Sequence, residues 1–160
     1  MPPGSGPKLD GARGAAIVDA LRADPSRSAI LTDIDGTLAP IVDTPEQAAV
    51  PERASRLLER LSRRYGIVGC VSGRPASEAR RLVGVESIAY AGNHGLELLL
   101  PGDHAPRPDP SLAGREGGAA EFIAGLDASE LAALGLRPED KGPIQALHWR
   151  GAEDERAAEA

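Results

Sequence analysis

Residues 28–38 read SAILTDIDGTL: a short apolar run from Ala29 to Leu31, then Asp33 and Asp35 one residue apart, with Gly36 and Thr37 directly behind. An apolar run this short, closed by polar residues, has the length of a buried strand rather than a helix. The two aspartates therefore stand at a strand's carboxyl end. Carboxylates in one turn repel, and the repulsion is relieved when a cation lies between them or one of them holds a proton. Phosphoryl transfer uses both arrangements: one carboxylate attacks phosphorus while the other passes a proton to the leaving oxygen and then activates water. A magnesium ion bridging the attacking carboxylate and a phosphate oxygen would neutralise charge and hold the line of attack. Gly36 lets the backbone turn tightly towards a phosphate, and Thr37 supplies a hydroxyl. The competing reading is a plain acidic turn. A D-x-D-G-T match arises by chance in roughly one chain of this length in 500, and its position after an apolar strand makes the catalytic reading the better one.

Outward from this stretch the pattern repeats. Upstream, Ile17, Val18 and Leu21 in ARGAAIVDALRAD fit one helical face. Downstream, PERASRLLERLSRRY begins at Pro51, a favourable first helical position, and sets Ala54, Leu57, Leu58 and Leu61 on one stripe. GIVGCVSGRP follows as a second buried strand over Ile67 to Val71, with Ser72, Gly73 and Arg74 at its end. PASEARRLVG reads as a helix stopped by Gly84, and SIAYAG as a third strand running into NHGLELLL. Strand, helix, strand, helix, strand at this spacing predicts an α/β fold with a parallel sheet. Such sheets bind ligands outside the carboxyl ends of their strands. Asp33 to Thr37, Ser72 to Arg74 and Gly92 to Glu97 all fall at such ends, which predicts a single site.

Residues 101–116, PGDHAPRPDPSLAGRE, carry four prolines and read as an exposed loop or linker. Beyond it GAAEFIAGL and DASELAALG are helical in pattern. PIQALHWR alternates Ile144, Ala146, His148 and Arg150 against Gln145, Leu147 and Trp149, as a half-buried strand would. The division predicted is a disordered segment over 1–12, a core over 13–114 and a smaller unit over 115–160. A chain ending inside that smaller unit exposes apolar faces, so disorder or aggregation is expected beyond Pro106.

Composition bounds the function. With 160 residues the chain has the length of about one domain. Four aromatics, 19 Gly and 14 Pro leave an aliphatic core of Ala, Leu, Val and Ile. A net charge of -6 without a basic block offers nothing to a nucleic-acid backbone. No apolar run approaches the ~20 residues of a membrane span. One cysteine, Cys70, excludes an internal disulfide and reads as a small buried apolar residue. The opening MPPGSGPKLDG lacks the regions of a secretory signal, so a cytoplasmic protein is expected.

DIDGT after an apolar strand resembles the first motif of the haloacid dehalogenase-like phosphatases, and VSGRP resembles their second. More narrowly, LTDIDGTLAPIV, CVSGRP, AGNHGLEL and PEDKGPIQALHWR, in that order, resemble the trehalose-6-phosphate phosphatases. The resemblance covers about Ala29 to Arg150 and implies a three-layer, Rossmann-like core with a small α+β cap. It implies hydrolysis of trehalose 6-phosphate with Mg²⁺ as cofactor, Asp33 as nucleophile and metal ligand, and Asp35 as general acid/base that also meets the metal through its backbone carbonyl. Gly36, Thr37, Ser72, Gly73 and Arg74 would then bind phosphate, Asn93 and His94 would lie beside the site, and Glu139 and Lys141 would grip the sugar from the cap. From the residues alone, Ser72 to Arg74 read equally as a strand-to-helix turn, His94 as a backbone-bonded turn residue, and Glu139 to Lys141 as a charged turn. His148 and Trp149 read as strand packing.

The resemblance also implies a lysine-containing third motif and a GDD-type fourth. Neither follows LHWR here; the later acids Glu153, Asp154, Glu155 and Glu159 lie in an alanine-rich tail. The expectation is thus the N-terminal part of such an enzyme, with low or no activity alone and with the C-terminal part of the core absent. A missing C-terminal half or a trehalose-phosphate synthase would be its macromolecular partner. The alternatives are a phosphatase or phosphotransferase for another sugar phosphate, and a non-catalytic chain that binds a partner.

Overall fold

The computed structural model describes residues 11–42, 44–115, 117–141, 144–149 and 152. The expected disorder of residues 1–10, Arg150 and the acidic tail 153–160 lie outside them. Gly11 and Ala12, assigned to the disordered segment, instead open a helix.

A five-stranded sheet runs in the order β1 (Ala29–Thr32), β2 (Ile67–Val71), β3 (Ala89–Gly92), β4 (Glu97–Leu99), β5 (Arg107–Pro108). The first three strands are parallel, as the spacing predicts, with Thr32 opposite Cys70 and Val71 opposite Ala91. The last two are antiparallel additions. NHGLELLL is therefore a tight turn and a return strand. The proline-rich stretch after it is not wholly loop, because a strand that pairs on one side only tolerates proline's missing N–H, and Pro108 sits opposite Glu97 at the sheet edge.

Helix α1 (Gly11–Ala23) precedes the sheet, and α2 (Glu52–Ser62) and α3 (Ala76–Val83) connect its parallel strands. Helix α3 packs on β3 and β4, and α2 on β2. Gly84 stops α3 in the left-handed conformation, φ 70°, its N–H donating to the Arg80 carbonyl. Ile34, Leu58, Val68, Cys70, Ala76, Ala79, Val83, Val85, Ile88, Tyr90 and Leu99 form the core. The aliphatic stripes are less deeply seated than their periodicity predicts. Leu57 is 51% exposed, and α1 buries no residue, with Ile17 at 49%.

Beyond Pro106 the described residues form elements rather than disorder. Two short helices, α4 (Gly118–Ala124) and α5 (Ala128–Ala133), precede an antiparallel pair, β6 (Arg137–Asp140) and β7 (Gln145–His148). Glu139 and Asp140, read with Lys141 as a charged turn, end a strand, RPED, because each of its residues finds a partner on β7, Glu139 facing Ala146. Burial on β7 does not alternate: Ile144, Gln145 and Ala146 are half-buried, and Leu147, His148 and Trp149 are exposed. Among the described residues no helix is long and apolar enough to cross a membrane.

Candidate active site

The parallel register brings the ends of β1, β2 and β3 side by side, so Asp33, Ser72 and Asn93 emerge at one end of the sheet. After β1 the chain closes on itself. The Ile34 carbonyl accepts the N–H groups of Thr37, Leu38 and Ala39 at 3.2, 2.9 and 2.9 Å, and Gly36 N–H donates to the Ala39 carbonyl at 2.8 Å. Gly36 has φ +84°, which disfavours a side chain there. Ile34 is fully buried, while Asp33, Asp35, Gly36 and Thr37 stay exposed. Asp33 Oδ1 accepts the Ile34 N–H at 2.7 Å.

Arg74 joins this turn to the end of β2. Its Nε and Nη2 donate to Asp35 Oδ2 and Oδ1 at 2.8 and 2.9 Å, a two-pronged pair, and its Nη1 donates to Glu78 Oε1 at 2.5 Å. The Arg74 side chain is only 13% exposed. The hydrogen bonds from Arg74, aided by its charge and opposed by partial burial, hold the Asp35 carboxyl below its ordinary value. Asp35 is thus kept ionised in this geometry. Ser72 is buried, and its Oγ accepts the Arg74 N–H at 3.1 Å, so its hydroxyl hydrogen is free to donate. Cys70 is buried beneath; burial first and the Asp33 charge second push its thiol up to about 11, so the structure agrees with a packed, unreactive side chain.

The β2 and β3 ends are tied through their backbones. Asn93 N–H donates to the Arg74 carbonyl and His94 N–H to the Ser72 carbonyl, both at 2.9 Å. Asn93 and His94 both adopt positive φ, 49° and 59°. This is the left-handed region, uncommon for residues other than glycine. The His94 ring lies against Gly73, where an added Cβ would come within 2.8 Å of it. His94 is therefore both a turn residue and a neighbour of the Ser72–Arg74 turn.

Glu139 and Lys141 approach from the β6–β7 pair. Glu139 Oε2 meets Lys141 Nζ at 3.3 Å and His148 Nε2 at 2.5 Å. Asn93 Nδ2 donates to the Lys141 carbonyl at 3.1 Å. Glu139 also lines a groove of about 500 Å³ whose other wall includes Glu46, Arg74, Glu78 and Arg81. Glu139 and Lys141 thus approach Arg74 and Asn93, and His148 is engaged by Glu139 rather than packed.

Three contributors are less evident in the sequence. Glu78 shares Arg74, and the R-x-x-x-E spacing into the first turn of α3 is the signal for it. Glu97 Oε1 accepts the Ala76 N–H at 2.6 Å, capping α3 from another strand. At Gly92 a Cβ would lie 2.2 Å from the Ala76 nitrogen, so the strand end passes directly under that helix. The last two depend on packing between segments and leave no local signature.

For a hard divalent cation the site offers oxygen donors: the Asp33 carboxylate, with one oxygen unpartnered among the described residues, and the Asp35 carbonyl. No cluster of three or more His, Cys, Asp or Glu side chains occurs among the described residues. Mg²⁺ binds through one or two carboxylates and fills its remaining positions with waters and phosphate oxygens, so the donors fit it in kind.

A parallel sheet with an acidic first strand end facing a Ser-Gly-Arg turn defines a haloacid dehalogenase-like core. Residues 31–110 match the trehalose-phosphatase family model, and the chain belongs to that family. It is 38% identical over 133 residues to the trehalose-phosphate phosphatase of Mycobacterium avium, covering 82% of this chain and 33% of that protein. With the probable trehalose-phosphate phosphatase of Sinorhizobium fredii it shares 34% over 152 residues, 91% of this chain and 53% of the other. The fold matches the C-terminal domain of the Candida albicans trehalose-6-phosphate phosphatase with a TM-score of 0.62 at 21% identity, covering 87% of this chain and 48% of that one. The chain thus spans about a third to a half of these relatives.

Proposed function

We propose that this chain carries the nucleophile half of a phosphatase acting on trehalose 6-phosphate in the cytoplasm, with residues 13–114 as its core and 115–160 as part of a cap. The observation that carries this reading is the Arg74–Asp35 pair, which joins the Ser72–Arg74 turn to the turn that bears Asp33 at one sheet end, inside the span that matches the family. Asp33, exposed and with an unpartnered oxygen, attacks phosphorus; the bond from phosphorus to the sugar oxygen breaks and an aspartyl phosphate forms. Asp35 donates its proton to that leaving oxygen, then takes one from the water that attacks phosphorus and regenerates Asp33. Ser72 donates its hydroxyl hydrogen to a phosphoryl oxygen, Gly36, Thr37, Gly73 and Arg74 surround the group, and Glu139 and Lys141 bind sugar hydroxyls. Mg²⁺ held by the Asp33 carboxylate and the Asp35 carbonyl would neutralise charge there.

In the described geometry Arg74 favours ionised Asp35, the form that takes a proton from water. Donation in the first step requires the guanidinium to turn from Asp35 towards Glu78, which already holds its Nη1.

The test is phosphate release from trehalose 6-phosphate and a panel of other sugar phosphates, with magnesium, by the purified 160-residue chain. Low turnover that prefers trehalose 6-phosphate and is abolished in Asp33→Asn is expected. Faster turnover of another sugar phosphate would favour that substrate instead, and turnover equal to that of a full-length relative would overturn the expected weakness of the chain alone.

A further inference from the structure

We infer that Asn93 is a positioning residue: it docks the β6–β7 pair onto the strand-end cluster and so sets where Glu139 and Lys141 stand. The functional consequence rests on the phosphatase reading; the docking itself does not. Asn93 is fully buried. Its main-chain N–H donates to Arg74, its side-chain amide donates to the Lys141 carbonyl, and its backbone is held at φ 49°. One residue thus connects the Arg74 turn to the loop side of the β6–β7 pair, 48 positions further along the chain.

An asparagine suits this post for two reasons. It is among the few residues that tolerate the left-handed conformation, and its amide reaches a carbonyl that a backbone group at the same position cannot. The cost is visible in the same side chain. Its Oδ1 is buried with no hydrogen-bond partner among the described residues, a penalty that a purely structural apolar residue would not carry. Retaining the amide there is explained by the bond its nitrogen makes. Because Lys141 is held through its main chain, its Nζ stays available to Glu139, and Glu139 reaches the groove that it shares with Arg74.

The test uses Trp149, the sole tryptophan, which follows β7 directly. Asn93→Gly keeps the left-handed backbone and removes the amide, whereas Asn93→Asp keeps the size and removes the donor. In both, lower Trp149 anisotropy, a shifted Lys141 carbonyl resonance and retained far-ultraviolet dichroism are expected. Binding of trehalose 6-phosphate should weaken about threefold to tenfold, as loss of one hydrogen bond predicts. Unchanged Trp149 anisotropy and an unchanged Lys141 resonance in both variants would overturn the inference. Should a variant fail to fold, a hydrogen-bond coupling between the Asn93 side-chain nitrogen and the Lys141 carbonyl carbon in the unmodified chain decides it: present supports docking, absent overturns it. Loss of docking in a chain that never binds trehalose 6-phosphate would support the docking and reject the phosphatase reading.

Discussion

At Gly92 the Cβ of any other residue would lie 2.2 Å from the main-chain nitrogen of Ala76, and at Gly73 it would lie 2.8 Å from the His94 ring. The two contacts differ in what can yield. The first is with a helix backbone anchored by Glu97, whereas the second is with an exposed ring that can swing away. Gly92→Ala is therefore expected to exceed the usual overpacking cost of about 1–3 kcal/mol, and Gly73→Ala to fall below it. Urea denaturation of both variants checks the order. Both glycines were legible as parts of motifs, Gly73 in VSGRP and Gly92 in AGNHGLEL. The sequence carries no sign that Gly92 meets a helix, because the partner arrives from sixteen residues earlier through the tertiary fold.

Helix α3 illustrates how an element depends on distant residues. Its start lacks a capping side chain of its own, Pro75 standing at the N-cap, and Glu97 on β4 supplies the acceptor for Ala76 N–H. Replacing Glu97 by Ala is expected to cost about 1 kcal/mol, the usual value of a helix cap, measured by urea denaturation. The β6–β7 pair has a charge-based anchor instead. Burial pushes the Glu139 carboxyl up, but hydrogen bonds from His148 and Lys141 more than offset this and hold it below its ordinary value. A lowered carboxyl contributes stability that is complete above its ordinary pKa and is lost as pH falls through the lowered one. The pair should therefore loosen only on acidification below the ordinary glutamate range. A falling Trp149 anisotropy that is absent in Glu139→Gln is the expected record. The strand over Gln145–His148 was legible from period two, but its partner RPED was not, since a run of charge and proline has no strand pattern until β7 lies beside it.

Across the whole molecule, β1 is the edge of the five-stranded sheet, although both aspartates stand in the turn directly after it. Leu31 is 61% exposed, Ile67 56% and Ile41 80%. Parallel strands are ordinarily covered on both faces, and an exposed apolar edge favours association. Concentration-dependent association is expected in analytical ultracentrifugation, and Leu31→Lys should reduce it; a monomer at all concentrations would contradict this. The order of the first three strands with the helices between them, and the presence of DIDGT and SGR at strand ends, were determined by the sequence alone. Apolar periodicity and strand-end chemistry are local properties of the chain. What only the tertiary structure decided was which polar groups meet: Arg74 with Asp35 across 39 positions, Asn93 with Lys141, Glu97 with α3. Those pairings follow from sheet register and from the packing of segments far apart in the chain, which no local pattern encodes.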